Sequence, residues 1–109
     1  LVTDLTYDRL LEFIKSKIDF GELTLKFMDF DGVGGMTTTK NGHTLIIINS
    51  RMCPEKQLRS FIHEAIHVYY NHDTNKRDEF ENITSSATNT VLKNLREDNN
   101  ERISKKIHN

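Results

Sequence analysis

One cysteine, one proline and a formal net charge of −1 mark what this 109-residue chain has little of. Each scarcity removes a class of protein. Cys53 alone allows no internal disulfide, which fits a reducing, cytoplasmic setting. A charge so near zero lays down no electrostatic footprint for direct nucleic-acid binding. The longest apolar run, Leu45 to Ile48, is far too short to span a bilayer, so no membrane segment is expected. Leu1 is not followed by the basic-then-apolar pattern of a signal peptide. Pro54 stands by itself, and no internal repeat or stretch rich in Pro, Gly or Ser divides the chain. With 36% hydrophobic and 28% charged residues, 1–109 reads as one globular domain.

What is present is organised by periodicity. In "TDLTYDRLLEFIKSKI", Leu10, Leu11, Ile14 and Ile18 recur at helical spacing, with Thr3 or Thr6 as the cap and Gly21 just past the end. "LTLKFMDF" alternates, with Leu23, Leu25 and Phe27 on one face, and predicts a half-buried strand. Asn41-Gly42 divides two β-prone runs in "MTTTKNGHTLIIIN". A type I′ turn needs positive φ at both central residues, so the runs form a hairpin. Three strands then predict a small, mostly antiparallel sheet. Pro54 and Glu55 suit the first turn of a second helix, whose apolar stripe takes in Leu58, Phe61, Ile62, Ala65, Ile66 and Tyr69. A third helix is expected from Lys76 to about Leu95, with Phe80, Ile83, Ala87, Val91 and Leu95 as its stripe. A polar tail, 97–109, follows, in which Ile103 and Ile107 leave fraying and further helix both open. The fold class is α+β.

The second helix carries "FIHEAIHVYY". Residues four apart differ by roughly 40° around a helix, so His63 and His67 project the same way, beside the apolar stripe rather than within it. Two imidazoles so placed can share one tetrahedral Zn2+. Glu64 lies about 100° round from His63 and can serve a water as general base without being a ligand. The competing reading is a pair of solvated histidines beside a glutamate. A catalytic zinc takes a third protein ligand. His72 would point some 140° away from His67 on an unbroken helix and reads better as a polar helix end. Glu81 heads a line with Ser85 and Thr88, flanked by Thr84, and small residues there would let the third helix approach the second. Glu79 and Asp78 are rivals for the same role, and carboxylates are favoured in the first turn of any helix.

The stretch "GVGGMTTTKNGHTLIIINSRMCPEKQLRSFIHEAIHVYYNHD", followed by "EFENITSSATNTVL", resembles the ImmA/IrrE-like zinc metallopeptidases, gluzincin-like proteins of bacteria, phages and mobile elements. The shared pattern is a hairpin ending in apolar residues and Asn, a Phe ahead of the histidine motif, and a second helix beginning Glu-x-x-Ala. Here Ile48-Asn49, Phe61 and Glu81 take those places. The resemblance implies a minimal zincin-like domain: an N-terminal helix, a three-stranded sheet with its hairpin, the HExxH helix and a ligand-bearing helix. It assigns His63, His67 and Glu81 to the metal, Glu64 to catalysis and Zn2+ as the cofactor. The chain departs from the pattern at Thr84, where the family has Ala, and at Ala65-Ile66, where it has Leu-Gly or Ile-Gly. Proteins of that family cut, or activate the cutting of, helix-turn-helix repressors. A protein substrate such as a DNA-binding repressor is therefore the partner implied.

Tyr70, about 20° from His63 on the helix, is a candidate substrate or oxyanion contact; the alternative is a ring packed beside the site. The hairpin could offer its edge to an extended substrate backbone, or Thr37 to Thr39 simply face solvent. His43 reads as a strand residue, His108 as part of the tail, and Cys53 as a small half-buried residue. The expectation is a zinc metalloendopeptidase. The alternative, from another class, is a zinc-binding anti-repressor that sequesters its partner without cleaving it.

Overall fold

A computed structural model describes residues 5–71 and 77–108. Thr3, His72 and Lys76 lie outside the described residues, as do the side chains of Asp78 and Glu79. The element order is α1 (Tyr7–Asp19), β1 (Leu23–Met28), β2 (Gly35–Lys40), β3 (His43–Asn49), α2 (Pro54–Tyr69) and α3 (Arg77–His108). No helix among the described residues is long and apolar enough to cross a membrane.

Thr6 caps α1 by accepting a 3.2 Å hydrogen bond from the Arg9 amide. Leu10 and Ile14 are the fully buried side of the helix. Gly21 stops it at φ +73°, and the Glu22 amide turns back to the Lys17 carbonyl at 2.9 Å, a Schellman closure. The Asn41-Gly42 turn has φ of 53° and 78°, the two positive values a type I′ hairpin requires.

The sheet order is β1-β3-β2. β2 pairs antiparallel with β3, but β1 pairs parallel with β3, with Leu23 opposite Thr44. The sheet is therefore mixed, which corrects the expectation of a mostly antiparallel one. A hairpin signal specifies only its own ladder. The unbroken apolar run Leu45 to Ile48 is that of a central strand flanked on both sides. Ile46 and Ile48 are fully buried, while Leu45 and Ile47 between them are half-buried, so one face of the sheet carries the core. His43 ties the start of β3 to the start of β1: its Nδ1–H donates to the Gly21 carbonyl at 3.0 Å, and in that tautomer Nε2 accepts from the Thr24 hydroxyl at 2.8 Å.

Cys53 is the N-cap of α2 without a side-chain hydrogen bond, and it is exposed rather than half-buried. Pro54 occupies the first helical turn as expected. Phe61, Ile62, Ala65 and Ile66 are buried, but Tyr69 emerges from the stripe and packs edge-on against Phe13 with ring centroids 5.1 Å apart.

On α3 the buried face is Thr84, Ala87, Thr88, Val91 and Leu92. The expected Ile83 is 44% exposed, because two threonines rather than an aliphatic residue turn inward. Thr88 tolerates this by donating its hydroxyl to the Thr84 carbonyl at 2.8 Å. Helix continues to His108, so residues 97–108 extend α3 and do not form a separate tail. An Arg96–Glu55 ion pair ties α3 to the start of α2.

Candidate metal centre

His63 and His67 stand one turn apart on α2, with ring centroids 5.0 Å from each other. Their Nε2 atoms converge on one carboxylate of α3. His63 Nε2 lies 3.0 Å from Glu81 Oε2, and His67 Nε2 lies 2.9 Å from Glu81 Oε1. Each ring donates to its own oxygen, so a single carboxylate bridges both imidazoles. Of the three acids considered, Glu81 is the one whose side chain is described beside them.

Exposure falls sharply across the cluster. The side chains of Glu81, His63 and His67 are 38%, 19% and 4% exposed. His67 is thus part of the protein interior, although helical geometry suggested a place beside the apolar stripe. The difference comes from α3, which lies over that flank of α2 and closes it. Glu64, about 100° round the helix from His63, is only 3% exposed.

The donor set suits a small, borderline-soft cation. One atom from each of His63, His67 and Glu81 can be chosen so that all three lie within 4.8 Å of one another. A tetrahedral zinc with bonds near 2.0–2.1 Å holds its ligand atoms roughly 3.3 Å apart. Small side-chain movements bridge that difference, because both Nε2 atoms already point toward one place. Replacing two ring protons by a dication keeps the same three groups in use.

A cavity of about 560 Å³ opens beside this cluster, with His63, Glu64 and Glu81 in its wall. Its opposite wall is Val33 to Met36, which lead into and begin the edge strand β2. Two glycines allow that strand to lie so close to α2. A Cβ on Gly34 would stand 2.4 Å from Ser60 Oγ; one on Gly35 would crowd the Glu64 side chain at 3.3 Å and the Ile47 carbonyl at 3.2 Å. Gly34 and Gly35 are therefore the contact between sheet and motif helix.

Two further residues of the site escaped the sequence reading. Thr37 donates its hydroxyl to Glu64 Oε1 at 2.8 Å, and so is not a merely solvent-facing strand residue. Asn49, noticed only as a strand end, is 2% exposed and holds the loop that becomes the cavity rim. Its amide donates to the Phe30 carbonyl at 2.9 Å and to the Val33 carbonyl at 3.2 Å, and its oxygen accepts from the Arg51 amide at 3.0 Å. Arg51 adds ion pairs to Asp29 and Asp31 of the same loop. The only prior signal was a polar residue closing an apolar strand.

Tyr70 is half-buried at the C-cap of α2, with its ring against Tyr69 at 5.1 Å, and does not line the cavity. Nor does His43, which belongs to the far end of the hairpin. No protein-family model, curated protein or solved structure matches the chain.

Proposed function

We propose that the domain is a zinc-dependent peptidase of the HExxH type, acting on a protein substrate. One observation carries the reading: two imidazoles and a carboxylate converge beside a buried glutamate in a cleft walled by an edge strand. His63, His67 and Glu81 would hold the metal. Zinc so bound supplies Lewis acidity toward a peptide carbonyl and raises the acidity of water.

Glu64 takes a proton from the attacking water and passes it to the leaving amine. The new C–O bond forms first, the C–N bond then breaks as the amine takes the proton, and the carboxylate ends as it began. Thr37 holds Glu64 in place through its 2.8 Å hydrogen bond. The outer edge of β2 offers unpaired backbone groups to an extended substrate, while Gly34 and Gly35 keep the approach to α2 clear. The resemblance to the ImmA/IrrE-like proteins adds a substrate class, a DNA-binding repressor in the cytoplasm, which this geometry does not itself specify.

The second reading is a zinc-binding module that sequesters its partner uncut. The burial of Glu64 favours it, since a carboxylate 3% exposed and already bonded to Thr37 also suits a structural role. Glu64→Gln separates the two. Zinc-loaded protein is incubated with a peptide library and with partially unfolded protein, and products are read by mass spectrometry. The peptidase reading expects cleavage that disappears in the variant while zinc content stays the same. Absence of products from the wild type, or equal cleavage by the variant, sinks it.

A further inference from the structure

Arg59 lines the same cavity as the cluster. It stands four residues before His63 on α2, one helical turn away. Its Nη1 donates to Asn89 Oδ1 of α3 at 2.8 Å. That bond belongs to the pairing of two antiparallel helices. Arg59 meets α3 at Asn89, whereas His63 and His67 both meet it at Glu81, two turns earlier on α3, and Ser85 between those positions also lines the cavity. Arg59 is thus held at one end of the line of groups whose other end is the Glu81 cluster.

Its charge is what sets it apart. Arg51 pairs with Asp29 and Asp31, and Arg96 pairs with Glu55. The partner of Arg59 is a neutral amide, and among the described residues no carboxylate pairs with it. A guanidinium carries five N–H donors in a planar fork, and a single bond to Asn89 uses only one of them. The two carboxylates in the cavity wall keep their charge but are engaged elsewhere, Glu64 with Thr37 and Glu81 with the two imidazoles, and neither forms an ion pair with the guanidinium. The cleft wall therefore holds, beside two carboxylates, an exposed guanidinium with donors left for a ligand, and zinc at the cluster would offset the carboxylate charge there.

We infer that Arg59 binds a carboxylate of the substrate, so that the cleft selects acidic peptides. The position follows from helix and strand dimensions. One helical turn is about 5.4 Å, and an extended chain advances about 3.3 Å per residue. The recognised carboxylate then lies roughly two residues from the reacting bond. Either an Asp or Glu side chain or the C-terminal carboxylate of a peptide supplies that chemistry. An extended peptide turns neighbouring side chains to opposite sides. The wall facing α2 presents Val33 and Met36, which are 58% and 41% exposed, so an apolar residue suits the place next to the acidic one.

This inference rests on the cavity being a substrate cleft, and its test reads binding separately from cleavage. Fluorescein-labelled peptides, identical except for one Glu or Gln beside a Leu, are titrated onto zinc-loaded Glu64→Gln protein by anisotropy. A matched pair ends in a free carboxylate or an amide. The Glu peptide should bind about tenfold more tightly than the Gln peptide, as a charge-assisted hydrogen bond to Arg provides. Preference confined to the free-acid pair would identify the C-terminal carboxylate as the ligand. Arg59→Gln should level the affinities, and Arg59→Glu should reverse them in favour of a Lys peptide. Equal binding within both pairs, or binding of no peptide, overturns the inference. Cleavage of the same peptides by the wild type is followed in parallel. Selective binding without cleavage would retain Arg59 and remove the peptidase reading; unselective cleavage would do the opposite.

Discussion

Thr37 on the edge strand and Glu64 on the motif helix are joined by a 2.8 Å hydrogen bond, Oγ1 to Oε1, the threonine half-buried and the glutamate buried. The bond fixes a carboxylate that a bare helix would leave to rotate. It also makes the sheet answerable for the orientation of a group carried by α2. Thr37→Val keeps the shape of the side chain and removes the donor. The expected cost is about 1 kcal/mol in urea denaturation, as for one intramolecular hydrogen bond. On the peptidase reading, turnover falls roughly tenfold, equivalent to about 1.4 kcal/mol in the barrier, with zinc affinity unchanged. Wild-type turnover in the variant would show that Thr37 does not orient the base.

The glycine pair makes that bond reachable. A methyl group on Gly34 would overlap Ser60 Oγ, the end of a short side chain, at 2.4 Å, whereas Ser60 Cβ is at a comfortable 3.6 Å. Gly34→Ala should therefore destabilise by about 1–3 kcal/mol, the usual range for overpacking. In a Ser60→Ala background the offending atom is gone, and most of the loss should be recovered. A double-mutant cycle by chemical denaturation measures the coupling. Additive effects would mean that strand and helix move apart to relieve the contact.

Much of this arrangement is legible in the residues, and what is not has a physical cause. Asn41-Gly42, Gly21 and Pro54 act through local backbone preferences, so turn, helix stop and helix start can each be read without a partner. His63 and His67 announce themselves by helical spacing, and Glu81 by a line of small residues. The parallel β1–β3 ladder is different. It depends on which edge of the central strand β1 reaches, and alternation within β1 is the same for either pairing. The buried face of α3 includes Ala87 and Val91 as expected but departs at Ile83 for a related reason. Apolar periodicity follows Ile83, but close packing of two helices favours the smaller Thr84 and Thr88, and hydropathy alone does not register that. Thr37 reads as solvent-facing because edge strands carry polar side chains; only the approach of α2 gives its hydroxyl a buried acceptor.

Thr84 offers a test of that packing. It is fully buried, and its Oγ1 has no hydrogen-bond partner, unlike Thr88, whose hydroxyl is satisfied. An unpaired buried hydroxyl costs about 1–3 kcal/mol. Valine has nearly the same shape and a similar helix propensity. Thr84→Val should therefore raise stability by about 1 kcal/mol, measured as a higher urea midpoint at unchanged slope. A loss of stability would mean that the hydroxyl has a partner after all and that α3 sits in a different rotation.

The convergence of His63, His67 and Glu81 is the most exacting claim, and it can be tested without any substrate. A ligand that binds only the folded state at a hundred times its dissociation constant stabilises that state by about 2.7 kcal/mol. For a domain of this size zinc should then raise the melting temperature by roughly 10 °C or more. Magnesium, which takes six oxygen ligands, should not. Removing either imidazole as His63→Ala or His67→Ala should abolish the zinc shift. Glu81→Gln retains the size of the third group but weakens it as a ligand, and should cut the shift by at least half. The same variant reports on the metal-free state. A carboxamide oxygen replaces only one of the two carboxylate oxygens, and the ring facing the amide nitrogen must change tautomer to accept from it, so Glu81→Gln should lose up to about 1 kcal/mol even in chelator. A zinc shift of wild-type size in Glu81→Gln would place the third ligand elsewhere on α3, and with it the geometry on which the cleft, the base and the substrate path depend.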